Sequence, residues 1–461
     1  MLGHFYFSPF GAQMLITNDA GRFCFLSRDE FNRLVDGKNL QNKDLLDRLT
    51  EAGFYSEKPL EAYIRDHCHS VRDGNSYLFD STNLFIIAVT NACNNRCVYC
   101  QANGNNQIRQ MSKEVAEQAL RRIAECPAED ITIEFQGGEP LLNYPVIEYI
   151  VTRSSELLQN KRVHFTVVSN LRLMTDRIAG FFEEHKVNVS TSLDGFEELH
   201  NLNRPASDGQ GTYEEVILMR KKLMDHHIFS GAIETTTRES LDYPELIVDT
   251  YVKEGFPMIF LRPLSRLGAA ARQWNEIGYT AEEYLSFYSR ALHHILKYNL
   301  QGFSFPEYGA SLFLSKMLRG KSPNYMELRS PCGAGTGQVA ITANGNVYTC
   351  DEGRMIAETG DEAFCIGNVF KNAYQDWISS PVCRATSAAS LLDSLPGCCD
   401  CVYKPYCGVC PVVNYALHGN TTHVSSERCK INKGILSILF EIIQEGDQAV
   451  ISILSKWGDN A

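Results

Sequence analysis

Leu84-Phe85-Ile86-Ile87-Ala88-Val89-Thr90-Asn91-Ala92-Cys93-Asn94-Asn95-Arg96-Cys97-Val98-Tyr99-Cys100 sets an apolar run directly before three thiols spaced C-x3-C-x2-C. Three protein thiolates around a four-iron cubane leave one iron open to a small molecule, and an iron with a free site can do chemistry. A zinc site or a redox pair is the plainer reading. Structural zinc asks for four ligands, usually as two close pairs, and no Cys-x2-Cys or His-x3-His partner follows at finger spacing. A catalytic zinc can use three, so the triplet alone leaves the metal open.

The rest of the composition narrows the setting. At 461 residues the chain has room for about three domains with ample core. A formal charge of -12 disfavours a nucleic-acid partner. No run of 18 apolar residues occurs, and Met1-Leu2-Gly3-His4-Phe5 lacks the basic and apolar regions of a signal peptide. The expectation is a soluble cytoplasmic protein that binds no membrane. Sixteen cysteines in such a protein, several in tight C-x2-C groups, read as metal ligands rather than disulfides.

Between residues 84 and 265 short apolar runs alternate with longer amphipathic stretches. Strands are expected at 84-89, 131-136, 163-168, 187-193, 231-236 and 257-262, with helices at about 112-125, 145-159, 174-186, 212-227 and 243-254. Six such units predict an α/β fold, a partial (β/α)6 TIM-type barrel whose chemistry gathers at the C-terminal strand ends. Before it, residues 1-80 predict a hairpin of Gln13 to Thr17 with Arg22 to Leu26 around Asn18-Asp19-Ala20-Gly21. A capping-box start at Ser27-Arg28-Asp29-Glu30 opens a helix ending near Gly37, and a second helix starts at Asn42 and closes at Gly53. Strand, strand, helix, helix is a small winged-helix-like module. After the barrel come a connecting helical segment (266-331, with a helix at about 281-298), a cysteine-rich stretch (332-430) and one amphipathic helix (431-461).

Gln136-Gly137-Gly138-Glu139-Pro140 ends the second barrel strand. A glycine pair lets backbone approach a ligand closely, and the carboxylate of Glu139 can offset positive charge. Val168-Ser169-Asn170 and Ser192-Leu193-Asp194-Gly195 end the third and fourth strands, where hydroxyl and amide groups suit ribose hydroxyls; the same residues are good turn formers. Arg204 has the geometry for a bidentate carboxylate contact.

Taken with C-x3-C-x2-C and an aromatic residue, Tyr99, before its last cysteine, these motifs resemble those of radical S-adenosylmethionine (SAM) enzymes. The resemblance implies that Cys93, Cys97 and Cys100 hold a 4Fe-4S cluster whose open iron is chelated by the amino and carboxylate groups of SAM. Electron transfer to the sulfonium then yields methionine and a 5'-deoxyadenosyl radical. Gly137, Gly138 and Glu139 would meet the SAM amino group. Ser169, Asn170, Ser192 and Asp194 would lie on the ribose side, and Arg204 would pair with the carboxylate. His200 reads as a structural hydrogen-bonder.

Further on stand Cys332, Gly345, Cys350, then Cys398-x2-Cys401-x5-Cys407-x2-Cys410 and Cys429. This order resembles the SPASM extension, which carries two auxiliary 4Fe-4S clusters; the family usually has three residues, not two, between the cysteines at 407 and 410. The resemblance implies an outer cluster on Cys398, Cys401, Cys407 and Cys429 and an inner one on Cys332, Cys350 and Cys410. Sulfatase-maturing enzymes supply a fourth inner ligand six residues before the first, where this chain has Met326. The inner cluster therefore has an open iron, takes another side chain, or recruits Cys365, Cys383 or Cys399. A zinc ribbon is the alternative for Cys398 to Cys410. Asp351 matches the aspartate that acts as base in sulfatase-maturing enzymes; it is equally a turn-capping residue. Cys24, Cys68 and Cys126 read as ordinary buried thiols.

The chain thus resembles a radical SAM/SPASM maturase of a ribosomally made peptide. Its N-terminal module resembles the domains that hold a leader peptide as an added strand. Leu15 to Phe23 and Phe260 to Gly268 are most similar to the B-component maturase of His-Xaa-Ser systems. That implies a precursor peptide with His-Xaa-Ser repeats, an electron donor such as flavodoxin or ferredoxin, and a second radical SAM maturase as partner. A sulfatase-maturing enzyme and a non-enzymatic iron-sulfur sensor are the alternatives.

Overall fold

Six apolar runs become parallel strands that lie side by side in the order in which they occur in the chain. The computed structural model describes residues 1-36, 42-102, 107-228, 230-323 and 325-459. Three strands precede the barrel: β1 (Tyr6–Phe10), β2 (Gln13–Thr17) and β3 (Phe23–Ser27). The barrel strands are β4 (Leu84–Thr90), β5 (Asp130–Gly137), β6 (Arg162–Val168), β7 (Val187–Ser192), β8 (Ser230–Thr235) and β9 (Phe260–Arg262). Helices Lys113–Ala124, Tyr144–Leu157, Asp176–Glu184, Tyr213–Asp225 and Pro244–Lys253 follow in alternation. Their starts are written locally: Ser112 accepts from Val115 N at 3.3 Å and Thr175 from Ile178 N at 3.3 Å, each filling an orphan donor of the first turn.

Alternation along each strand sorts the two faces. On β5, Ile131, Ile133 and Phe135 are buried under the helices, while Thr132, Glu134 and Gln136 are half-buried on the other, concave face. Ser190 and Ser192 of β7 and Phe260 and Arg262 of β9 show the same half-buried alternation. The helix-covered side of the wall is therefore apolar, while its inner face mixes polar residues such as Glu134, Gln136 and Ser192 with apolar ones such as Ile86 and Phe260.

Three more strands extend the sheet where sequence reading expected none: β10 (Gln338–Ile341), β11 (Asn346–Tyr348) and β12 (Cys365–Asn368). β10 runs parallel to β4, and β11 and β12 return antiparallel, giving the order β12-β11-β10-β4-β5-β6-β7-β8-β9. At four, three and four residues these strands are too short to show a period; β4 supplies the template. The cysteine-rich segment is thus joined to the barrel through one sheet.

The N-terminal module also departs from strand, strand, helix, helix. β1 precedes the expected hairpin, making a β1-β2-β3 antiparallel sheet, and a third helix, Leu60–Gly74, follows the expected two. The capping box is present, with Ser27 N donating to Glu30 at 2.7 Å and Glu30 N to Ser27 Oγ at 3.2 Å. That helix spans Arg28–Asp36, and the expected end at Gly37 lies outside the described residues. Cys68 is exposed rather than buried, because Leu60–Gly74 buries none of its side chains fully.

Both faces of the small sheet are covered, which is why Met14-Leu15-Ile16 reads as a continuous apolar run. Ile16 and Leu26 pack on Leu34, Leu45, Leu49 and Phe54, whereas Tyr6, Phe10 and Leu15 join the main core. At that second face Phe440 sits among Phe10, Phe23, Phe25, Tyr403 and Tyr406, with ring centroids 5.0 to 6.2 Å away. Phe440 belongs to helix Ser426–Glu445, which Gly446 ends at φ 77° before Gln448–Asp459, so the single C-terminal helix expected is two. Among the described residues no helix is long and apolar enough to cross a membrane.

Phe440→Ala empties the space among five rings and is expected to cost about 3–5 kcal/mol, against under about 1.5 kcal/mol for the volume-conserving Phe440→Met. Urea midpoints of the two variants check the difference.

Candidate active site

The turn after β5 lies against the turn after β4. Gly138 N donates to Thr90 O at 2.9 Å and Glu139 N to Ala92 O at 2.8 Å. A Cβ on Gly137 would stand 2.0 Å from Thr90 O, and one on Gly138 would stand 2.2 Å from Ala92 O. Sequence reading kept these glycines open for a ligand. Both approach the backbone that leads into the thiol loop closely, and this brings Glu139 beside that loop. Other strand ends hold the loop too: Arg96 N donates to Pro205 O, Val98 N to Asn203 O and Ala269 N to Cys100 O, at 2.8 to 2.9 Å.

Glu139 is 1% exposed, and its carboxylate accepts from Leu141 N, Ser169 Oγ and Asn170 N at 2.8 to 3.0 Å. Burial nevertheless pushes its carboxyl up to about 7, the three donors acting the other way. Ser169 and Asn170, expected on the ribose side, spend their side chains inside the protein. Ser169 Oγ donates to Glu139, and Asn170 Nδ2 donates to Asn94 Oδ1 at 2.7 Å. Both therefore orient their neighbours. Ser192 differs: it is half-buried on the inner face of β7 and makes no side-chain hydrogen bond among the described residues.

On the opposite side of the loop, Asp194 is fully buried and accepts from Tyr99 OH at 2.5 Å, Arg204 Nε at 3.0 Å and Thr235 N at 3.2 Å. The Arg204 guanidinium also lies 5.1 Å from the centre of the Tyr99 ring. Arg204 is thus fixed through Nε, and its two terminal nitrogens make no hydrogen bond among the described residues. Burial raises the half-buried Cys97 thiol to about 11, while the Arg204 charge lowers it. His200 takes a hydrogen bond from Asp194 N on Nδ1 at 3.3 Å, which assigns its proton to Nε2, 3.2 Å from Thr212 Oγ1. Burial lowers its pKa to about 4, so it stays neutral and braces the turn.

The later cysteines gather in two places. Cys398, Cys401, Cys407 and Cys429 line a cavity of about 30 Å³ together with Lys433, Cys410 also reaches its wall, and Asn432 Nδ2 lies 3.6 Å from Cys407 Sγ. Cys332, Cys350 and Cys410 are buried in one cluster with Val412 and Phe364. Met326 is 5% exposed and fills the space over Gly333 and Gly337. Asp351 opens helix Asp351–Ala357, whose N-cap is Cys350, and its Oδ1 accepts from Arg354 Nε at 2.8 Å and Nη2 at 2.6 Å.

Sequence reading missed Arg354, which is 1% exposed and also reaches Gln136 Oε1 at 3.4 Å. Gln136 in turn donates to Glu134 Oε1 at 2.6 Å. Burial raises the Glu134 carboxyl. A charged residue alternating with Ile133 and Phe135 was the available signal for an inward-facing acid. Beside this wall a cavity of about 490 Å³ is lined by Arg262, Leu264, Tyr279, Phe313, Glu327 and Arg428.

A carboxylate on one side of a three-thiol loop and a guanidinium on the other complement an ammonium and a carboxylate carried by one small molecule. Among the described residues no three His, Cys, Asp or Glu side chains converge as ligands of a single metal ion. A cubane asks for a different arrangement, because each thiolate binds its own iron. The donor set, the hydroxyl of Ser192 and the charges of Glu139 and Arg204 fit a 4Fe-4S cluster with SAM.

Comparison with known proteins agrees. Residues 87-239 match the Radical SAM superfamily. An uncharacterized protein of Methanocaldococcus jannaschii is 30% identical over 182 residues, which is 40% of this chain and 63% of that protein, so the chain spans less than two thirds of its length. A cysteine-type anaerobic sulfatase-maturating enzyme of Clostridium novyi is 22% identical over 71% of this chain and 87% of its own. The crystal structure of Streptococcus suis SuiB bound to precursor peptide SuiA aligns with 93% of this chain and 99% of that one, at 15% identity and a TM-score of 0.56, a likeness of fold.

Two outcomes follow for the protein without ligands. Between the ordinary 4.5 and the folded value of about 7, Glu139 keeps a proton that the unfolded chain has released. Stability therefore falls as pH rises across that window, by at most about 3.4 kcal/mol. Glu139→Gln removes this component, so urea unfolding at several pH values should show a shallower pH slope. Gly138→Ala forces the two turns apart and is expected to lower the iron bound per chain on anaerobic reconstitution, read by iron assay and the absorbance near 400 nm.

Proposed function

We propose that this radical SAM chain is a SPASM-type maturase that modifies a ribosomally made precursor peptide. The observation that carries the reading is the pairing of Glu139 and Arg204 across the Cys93-Cys97-Cys100 loop, with the SuiB-like fold extending over the N-terminal module as well as the barrel. SAM and the cluster, when bound, supply a 5'-deoxyadenosyl radical able to take a hydrogen atom from an unactivated carbon. Glu139 holds the SAM ammonium, the terminal nitrogens of Arg204 hold its carboxylate, and Ser192 offers a hydroxyl to the ribose.

The cavity of about 490 Å³ at the end of β9 receives the core of the peptide, with Leu264 and Phe313 as apolar wall and Arg262, Glu327 and Arg428 as charged groups. Asp351, oriented by Arg354, accepts the proton left once a hydrogen atom and an electron have gone from the target residue. Cys398, Cys401, Cys407 and Cys429 would hold an outer cluster and Cys332, Cys350 and Cys410 an inner one, and such clusters would supply an acceptor for the extra electron. The edges of the β1-β2-β3 sheet offer backbone donors and acceptors to a leader segment, as SuiB is seen bound to a precursor peptide. The nearest specific class is the His-Xaa-Ser B component, working with a flavodoxin- or ferredoxin-type donor and a second radical SAM maturase.

Formylglycine formation is the second reading, favoured by the Clostridium novyi relative. Met326 in the place of a cysteine and the additional N-terminal module weigh against it.

Reduced protein incubated with SAM should release 5'-deoxyadenosine, and Cys97→Ala should abolish it; no release from the parent protein would leave a sensor. About twelve irons per chain fit three cubanes. Co-expression with a short precursor should remove two hydrogens and leave a crosslink in fragmentation spectra. Asp351→Asn should keep deoxyadenosine release and reduce modified peptide by on the order of 100-fold.

A further inference from the structure

We propose that Asn432 raises the reduction potential of the outer iron-sulfur cluster through one N–H···S hydrogen bond to Cys407, and so makes that cluster the electron acceptor beside the peptide cavity. This rests on the auxiliary-cluster reading above and goes beyond the cysteines on which that reading is built.

Cys398, Cys401, Cys407 and Cys429 line one cavity, so the four thiols a cubane needs already surround one space. Asn432 lines the same cavity, and its Nδ2 donates to Cys407 Sγ at 3.6 Å. Among the described residues no other donor reaches any of these four sulfurs. The inner thiols differ, because Cys350 Sγ accepts from the backbone of its own helix, Gly353 N at 3.4 Å. A hydrogen bond to a ligand sulfur offsets the negative charge that the reduced cluster gains, so the potential rises. With one donor for four sulfurs, that rise hangs on one side chain.

Helix Ser426–Glu445 fixes the donor in place. Cys429 and Asn432 stand three residues apart and share one face of it. Its start is held by Ser425, whose Oγ accepts from Arg428 N at 3.4 Å and whose N donates to Asn414 Oδ1 at 2.9 Å. Ile431 and Ile435 anchor the same stretch in the main core. Ligand and donor therefore sit on one rigid piece of backbone.

Asn432 also lines the cavity of about 490 Å³ assigned to the peptide, and Ser425 and Arg428 likewise belong to both linings. These three residues form a partition between the target residue and the outer thiols. One electron leaves the target radical and reduces the outer cluster by one, while the proton passes to Asp351. An oxidised flavodoxin- or ferredoxin-type protein then takes the electron on.

The test uses the full chain carrying Cys93→Ala, Cys97→Ala and Cys100→Ala, so that the auxiliary clusters alone respond. Reconstitution should give about eight irons per chain, and a redox titration followed by electron paramagnetic resonance should show two reduction steps. The step that Cys429→Ser moves is the outer one. Asn432→Leu, similar in shape but without a donor, should lower that step about tenfold in the ratio of reduced to oxidised cluster, or about 59 mV for one electron. The inner step should stay in place. Asn432→Asp should lower the outer step further by adding a negative charge, and Asn432→Gln, which keeps an N–H donor, should bring it back toward the parent. An Asn432→Leu chain with eight irons and both steps unmoved would overturn the proposal, as would movement of the inner step alone or of both steps equally. Loss of about four irons from both Asn432→Leu and Asn432→Gln would also overturn it, since the side chain would then hold the ligands in place instead of tuning them. Only about four irons in the parent would reject the auxiliary-cluster reading itself.

Discussion

Two backbone hydrogen bonds, Gly138 N to Thr90 O and Glu139 N to Ala92 O, fix the relation between the first two barrel strands at the point where chemistry can occur. They form only because neither glycine has a Cβ to hold the chains apart. Everything else at the strand ends is built on that contact. It sets Glu139 over the thiol loop, Glu139 then orders Ser169 and the backbone of Asn170, and Asn170 reaches back to Asn94 in the loop. The loop is thereby clamped from both sides before any ligand arrives, so little ordering is left to be done on binding.

The opposite side follows the same logic with charge in place of backbone. Arg204 could spend its whole guanidinium on Asp194, but the contact runs through Nε and leaves the terminal nitrogens without a hydrogen bond among the described residues. Asp194 and the Tyr99 ring hold the cation in place at a site where water is scarce, which keeps it aimed without neutralising it completely. Asp351 is treated alike: Arg354 binds one of its oxygens and leaves the other.

Long-period features were legible in the sequence. Strands β4 to β8 and their helices fall within a few residues of the expected bounds, because each carries enough apolar positions to show its period; β9 is shorter than expected, starting at Phe260. The cysteine loop and the glycine pair were legible as positions, yet the pair's contact with Thr90 and Ala92 was not, since spacing does not say which distant backbone a bare one will meet. β1 and β10 to β12 escaped notice for a different reason: they are short and borrow their order from neighbours already in place. Arg354 and Glu134 are single charged residues whose meaning depends on which distant elements the fold brings beside them, and no local pattern carries that.

Phe440 ties the first sheet of the chain to one of its final helices. On the ribosome, Phe10, Phe23 and Phe25 emerge hundreds of residues before the ring that covers them. Until then one face of the small sheet is an exposed aromatic surface, open to chaperones or to a second nascent chain. Completion of the barrel and closure of that face are therefore separate events in time, and a chain stalled in the cysteine-rich segment would carry a formed barrel with an uncovered aromatic patch.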